Sequence, residues 1–140
     1  MQRGENVLRY KTTMLGRINR ITSEQTFSLI LKKGSSLSFS HFRLKWVFSK
    51  NPYPRFGIVV SNKISKKAVV RNTIKRRLRE IVRPACKNQS LQIDGIIFVK
   101  PEIVNASFQM LSKEMEYALN TLQEKSAKIA KNHYKYNKNK

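Results

Sequence analysis

Residues 61–84 read SNKISKKAVVRNTIKRRLREIVRP. Val70, Ile74, Leu78 and Ile81 recur three or four positions apart, the spacing of one helical face, and Pro84 stops the run because its ring cannot continue a helix. The opposite side carries Asn72, Lys75, Arg76, Arg79 and Arg83, and Lys67, Arg71 and Arg77 flank the apolar stripe. Arg55–Val60 (RFGIVV), just before, is a short apolar run of the kind that makes a buried strand. The segment therefore predicts a strand, a basic turn and an amphipathic helix with an extreme positive face.

Outward from this unit the periods alternate. Upstream, Thr22 or Ser23 is placed to cap a helix, with Gln25 three after Thr22 as in a capping box. Phe27, Ile30 and Leu31 form that helix's apolar stripe and Gly34 closes it. Phe42, Leu44, Trp46 and Phe48 then alternate with Arg43, Lys45 and Val47, which predicts a half-buried strand, and Phe39 belongs to it or opens an extra edge strand. Asn51, Pro52 and Pro54 mark a turn. Downstream, Asp94–Val99 reads as a buried strand ended by Pro101. Asn105 is placed to cap a last helix that buries Phe108, Leu111, Met115, Leu119 and Leu122. The fold class is α+β, a small sheet of about four strands, mostly antiparallel, with three helices in the order αβββαβα.

The charge is lopsided. Across 140 residues stand 29 Lys+Arg and 8 Asp+Glu, a formal net charge of +21. Between Glu24 and Glu80 there is no acid but there are 14 basic residues, and after Glu124 only lysines carry charge. Self-repulsion on this scale calls for a polyanionic partner, nucleic acid first and an anionic membrane surface second. No run approaches the ~18 apolar residues of a membrane span, and the N-terminus lacks the continuous apolar run of a secretory signal. A single cysteine, Cys86, excludes an intramolecular disulfide and a cysteine-cluster zinc site, and a reducing cytoplasm fits. Residues 1–13 read as a flexible basic extension, 14–122 as the folded domain and 123–140 as a flexible Asn/Lys-rich arm.

Groups for covalent chemistry are sparse. His41 and His133 are the only histidines, the acids are scattered, and there is no Ser/His/Asp set or glycine-rich phosphate loop. Lys87 and the end of a helix beside Cys86 would lower its pKa, but no histidine is near it in sequence to act as base. No catalytic or metal-ligating residue is assigned. Binding is what the side chains suit: Lys63, Lys66, Lys67, Arg71, Lys75, Arg76, Arg79 and Arg83 set charged donors along the helix and the turn before it, at phosphate spacing. Asn72 adds an amide for a 2′-hydroxyl or a base edge. A helix merely kept soluble by charge does not explain the near-absence of glutamate for i,i+4 pairing. Arg43 and Lys45 leave the Leu44/Trp46 face for solvent or a cleft. Phe27, Phe39, Phe42 and Tyr53 offer planes for unpaired bases, with core packing the competing role for Phe27 and Phe42 and the preferred one for Trp46.

Val60, Ser61 and Lys63 in the turn, then Ala68, Val69, Arg71, Asn72, Ile74, Lys75, Arg76, Leu78 and Arg79 in the helix, resemble the signature of the protein subunit of bacterial ribonuclease P. Arg17-Ile18-Asn19-Arg20, the Phe27–Gly34 helix and the Asp94–Pro101 strand resemble other parts of that family, so the likeness covers roughly residues 15–122. Thr73 departs from a motif arginine, Asn62 from the first lysine of the turn, Leu31 from a second helix aromatic and Lys45 from a strand aromatic.

The resemblance implies a ribosomal-protein-S5-like fold with a left-handed βαβ crossover, against the usual handedness. It implies a catalytic RNA partner bound through Lys63, Lys66, Lys67, Arg71, Asn72, Lys75, Arg76 and Arg79. It also implies a cleft for the single-stranded 5′ leader of precursor tRNA, with Phe27, Leu31, Phe42, Arg43 and Lys45 as candidates. The endonucleolytic chemistry would then belong to RNA-bound Mg2+, with the protein alone not catalytic and neither DNA nor membrane as partner. The alternatives are a ribosomal protein or RNA chaperone of similar fold, and a basic DNA-binding module.

Overall fold

The computed structural model describes residues 20–87 and 91–138, with side chains as far as Lys128 except that of Ala127. The expected extension over residues 1–13 and the Arg17–Asn19 part of the family opening lie outside the described residues. Helix α1 spans Glu24–Lys33, followed by strands β1 (Ser35–Ser38), β2 (Phe42–Phe48) and β3 (Arg55–Val59), helix α2 (Ala68–Val82), strand β4 (Ile93–Val99) and helix α3 (Phe108–Lys138). Short 3-10 turns occupy Arg83–Lys87 and Pro101–Asn105.

The ends of α1 follow from local chemistry. Ser23 is its cap: the hydroxyl accepts from the Thr26 amide at 3.4 Å, so the expected Thr22 capping box is not the one formed. Glu24 lies in the first turn and Lys32 and Lys33 in the last, each at the dipole end that favours its charge. Gly34 donates to the Ile30 carbonyl at 2.8 Å and enters β1 directly. A Cβ there would collide with that carbonyl oxygen and press on β2 at the Trp46 carbonyl oxygen, 3.2 Å away, so glycine lets helix and sheet approach.

The sheet order is β1-β2-β4-β3. β1 with β2 and β2 with β4 are antiparallel, while β3 and β4 are parallel and joined through α2. Apolar positions sort onto two faces by the pleat. Phe42, Leu44, Trp46, Phe56, Ile93 and Ile97 face α2 and α3 in the main core. α1 packs on the other face against β2 and β4, where Ile30 and Ile96 are both fully buried. β4 is thus covered on both sides, which is why its sequence runs apolar without alternation.

Two charged pairs tie the elements, one within the sheet and one from the sheet to α3. Asp94, 4% exposed, takes a two-pronged contact from Arg55, Nε at 2.8 Å and Nη2 at 2.6 Å, which locks β3 to β4 and raises the Arg55 pKa. Glu114 of α3 accepts from the His41 backbone amide at 3.0 Å and contacts His41 Nδ1 at 2.5 Å, fastening the β1–β2 turn to α3. Trp46 is core, as expected, with its indole N–H unpartnered inside it.

α3 differs from expectation in three ways. Its cap is Ser107, whose hydroxyl accepts from the Met110 amide at 3.1 Å, while Asn105 ends the preceding 3-10 turn. Its buried row is Leu111, Met115, Ala118, Leu122 and Ser126, whereas Phe108 is 45% exposed and Leu119 half-buried. The core row drifts around the helix because a spacing of three or four only approximates its pitch. The helix also does not stop near Leu122 but runs on to Lys138, through residues expected to form a flexible arm.

Candidate RNA interface

β3 delivers the chain into the Ser61–Lys67 turn, which is built from its own backbone and serines. The Ile64 amide donates to the Ser61 carbonyl at 3.1 Å and the Lys67 amide to the Ser65 hydroxyl at 3.2 Å. Arg71 reaches back from α2, Nη1 donating to the Ser65 carbonyl at 2.9 Å, so it braces the turn as well as carrying charge. α2 then starts without a side-chain cap at Lys67 and without an acid in its first turn. The free amides and the positive end of the helix dipole therefore lack a partner from Lys67 or a neighbouring carboxylate, a configuration that favours an anion. Asn62, Lys63, Lys66 and Arg71 line an open depression beside that end.

Along α2, Ile74, Leu78 and Val82 are buried, which turns Asn72 and Arg76 to solvent and leaves Lys75 and Arg79 half-buried at the edge. Lys63, Lys66 and Lys67 are exposed. All eight residues expected to meet the RNA thus lie on the turn and one helix. Thr73, at the position of the missing motif arginine, bonds its hydroxyl to the Val69 carbonyl at 2.9 Å.

One further cation joins this row. Arg79 and Arg20 share the wall of a pocket of about 200 Å3 with Phe27. Burial, and then the Arg20 charge, lower the Arg79 pKa. Arg20 was not picked out from sequence as a binding residue. Its signal was the Arg-Ile-Asn-Arg opening, but nothing in the period links residue 20 to residue 79; the link is an isolated parallel bridge from Arg20 to Phe56 on β3.

The face of the sheet under α1 is a second surface. Across β2, β4 and β3 the register lines up Lys45, Ile96 and Gly57 in one row and Arg43, Phe98 and Val59 in the next. The first row is covered, with Ile96 fully buried; in the second, Arg43 is exposed and Phe98 and Val59 half-buried. The Arg43 guanidinium lies 5.2 Å from the centre of the Phe98 ring. Phe98 is therefore the aromatic of this row, and sequence reasoning missed it because β4 reads as uniformly buried.

The leader-cleft candidates separate. Phe27 is half-buried and Leu31 is 42% exposed, both on α1. Arg43 is on the open row. Lys45 donates from Nζ to the Leu31 carbonyl at 2.6 Å, which engages it at the end of α1. Phe42 is a correction: its ring has 0% exposure on the opposite face of β2, inside the main core, where no base can stack on it.

Burial pushes the Cys86 thiol up to about 12, the reverse of the lowering that Lys87 and a helix end suggested, so it stays protonated at neutral pH. Among the described residues no three His, Cys, Asp or Glu side chains gather to hold a metal ion. Among them, too, no helix is long and apolar enough to cross a membrane.

Comparison with known proteins gives one answer. A family model described as Ribonuclease P matches residues 15–123. The ribonuclease P protein component of Rickettsia peacockii is 39% identical over 108 residues, covering 70% of this chain and 92% of that protein. That of Microcystis aeruginosa is 31% identical over 109 residues, covering 75% and 91%. The Staphylococcus aureus ribonuclease P protein superposes with a TM-score of 0.66 at 30% identity, over 74% of this chain and 94% of that one. The Thermotoga maritima protein, solved in complex with 1-(4-fluorophenyl)-2-thiourea, gives 0.61 at 29%, over 71% and 96%. The fold, the strand–turn–helix motif and the span of the match agree, and the chain belongs to the family of bacterial ribonuclease P protein components, the protein part of a ribonucleoprotein endoribonuclease that processes tRNA.

Proposed function

We propose that this chain binds the catalytic RNA of ribonuclease P through the Ser61–Lys67 turn and α2, and holds the 5′ leader of precursor tRNA on the open row of the sheet beside α1. The observation that carries the reading is the start of α2: no side-chain cap, no first-turn acid, and Lys63, Lys66 and Arg71 around it. A structured RNA offers what that site lacks, phosphate oxygens in a row. Lys67, Asn72, Lys75, Arg76 and Arg79 continue the row along the helix. Arg79 with Arg20 leads it toward Phe27, so catalytic RNA and leader meet the protein on adjoining surfaces.

On the leader side, Arg43 takes a backbone phosphate while Phe98, Phe27 and Leu31 offer apolar planes to unstacked bases. Lys45 acts through α1, holding its end against the sheet. Mg2+ carried by the RNA and the substrate supplies the activation for phosphodiester hydrolysis. The residues of this chain neutralise, orient and retain the substrate, in the cytoplasm.

The test is reconstitution: a ribonuclease P RNA and a precursor tRNA at low Mg2+, with and without this chain, and the chain alone. Cleavage at the mature 5′ end that appears only when RNA and protein are combined supports the reading. No stimulation, together with tight binding to ribosomal RNA, would replace it with a ribosomal or chaperone role.

A further inference from the structure

α2 and α3 enclose a groove of about 540 Å3, a volume that suits a drug-sized molecule. Leu91 and Met115, both buried, form its floor, and Phe108 stands half exposed at the rim. Among the described residues two charged ones line it, and both are acids: Glu80 from α2 and Glu116 from α3. That inverts the composition of a chain with 29 Lys+Arg and 8 Asp+Glu. The ion pairs among the described residues are His41–Glu114 and Arg55–Asp94, so among these residues neither groove carboxylate has a cation within ion-pair distance.

The groove is also separate from the basic row. Arg79 turns to the other flank of α2, into the pocket it shares with Arg20 and Phe27, while Glu80 and Ile81 turn to α3. The two carboxylates offer a phosphate no donor, and a neutral apolar compound would use the floor alone. A compound with an apolar body and a protonated nitrogen satisfies both: the body covers Leu91 and Met115, and the nitrogen sits between the carboxylates, with the Ser112 hydroxyl on the same wall. We propose that the α2–α3 groove is a binding site for a small organic cation of this kind, distinct from both nucleic-acid surfaces.

The experiment titrates the full chain with 4-phenylbutylamine and with the neutral 4-phenylbutanol, following the Met115 methyl resonance by NMR. The expected result is a saturable Met115 shift with the amine, at a Kd about tenfold below that of the alcohol. In the double variant Glu80→Gln/Glu116→Gln, whose changes lie on exposed side chains, the amine should weaken to the level of the alcohol while the alcohol is unchanged. Equal affinity for the two compounds, or shifts that leave Met115 unmoved, would overturn the proposal. So would a concentration-dependent dimer in sedimentation that Phe108→Ser abolishes, since a second copy would then be the occupant.

Discussion

Lys45 and Arg43 are two residues apart on one strand, point to the same face, and should fail in different ways. Lys45 sends Nζ to the Leu31 carbonyl at 2.6 Å, at the C-terminal end of α1, and its stem runs past Gly34. A charged donor on a backbone carbonyl contributes about 1.5–3 kcal/mol, and a cation at a helix C-terminus about 0.3–1 kcal/mol. Lys45 is partly exposed, so solvent screening brings the net loss on Lys45→Met to about 1–2 kcal/mol. With an m-value of about 2 kcal/mol/M, the urea midpoint should fall by about 0.5–1 M. Arg43 is exposed and rests on Phe98, so Arg43→Ala should move the midpoint little. Its loss should instead appear in salt dependence. Removing one phosphate contact to a single strand lowers the log–log salt slope by about 0.7, roughly fivefold in affinity over a tenfold salt range. The assay is binding of precursor tRNA, with and without its leader, to the reconstituted holoenzyme from low to high salt. Arg43→Ala should flatten the slope for the leader-bearing substrate only, and Lys45→Met should leave it unchanged. If Lys45→Met keeps the wild-type urea midpoint and flattens the slope as Arg43→Ala does, Lys45 is a phosphate clamp and its assignment to the end of α1 is wrong.

Arg71→Ala should weaken binding to the catalytic RNA by about 1–3 kcal/mol whether or not a leader is present, and loosening of the Ser61–Lys67 turn should show as faster amide exchange at Lys67. Thr73→Arg, restoring the motif arginine, should steepen the salt slope for the catalytic RNA by about 0.9 in a filter-binding titration. The Cys86 thiol, held near 12 by burial, should resist iodoacetamide at pH 9 in the native state and react once the chain is unfolded in urea. The sign of its linkage follows: the folded state keeps its proton above the pH at which the unfolded thiol loses it, so stability is whole below about 9 and declines as pH rises toward 12. Urea midpoints measured from pH 8 to pH 11 check this.

Local patterns were the legible ones. The turn and α2 are one contiguous segment whose spacing specifies both the buried stripe of Ile74 and Leu78 and the charged edge, so the eight RNA candidates came out together. Strand alternation separated Arg43 and Lys45 from Leu44 and Trp46 correctly. The same alternation puts Phe42 with Leu44 and Trp46 on the covered face, so its place among the leader candidates beside Arg43 and Lys45 rested on the resemblance and on its aromatic ring, against the period. Phe98 was hidden for a different reason: β4 is covered on both sides along most of its length, and the open end of one face leaves no mark in an apolar run. Arg20 meets Arg79 through strand pairing across nearly sixty residues, and Lys45 meets Leu31 through the approach that Gly34 allows. Such juxtapositions arise from topology, and no local period encodes them.

The distribution of carboxylates has a kinetic consequence. On the α1 side of the sheet, Asp94 is quenched by Arg55 and Glu24 stands in the first turn of α1. Glu102, Glu114, Glu116 and Glu124 belong to α3 or the turn before it, and Glu80 faces α3 across the groove. Lys113, Lys125, Lys128, Lys131, Lys135 and Lys138 share α3 with three of these acids, so positive charge is diluted there, whereas residues 61–79 carry cations alone. That undiluted stretch exerts the strongest pull on a polyanion, and steering of this kind raises the share of encounters that begin productively. The sparse acids of this chain thus bear on its rate of arrival, by standing outside the segment of densest charge.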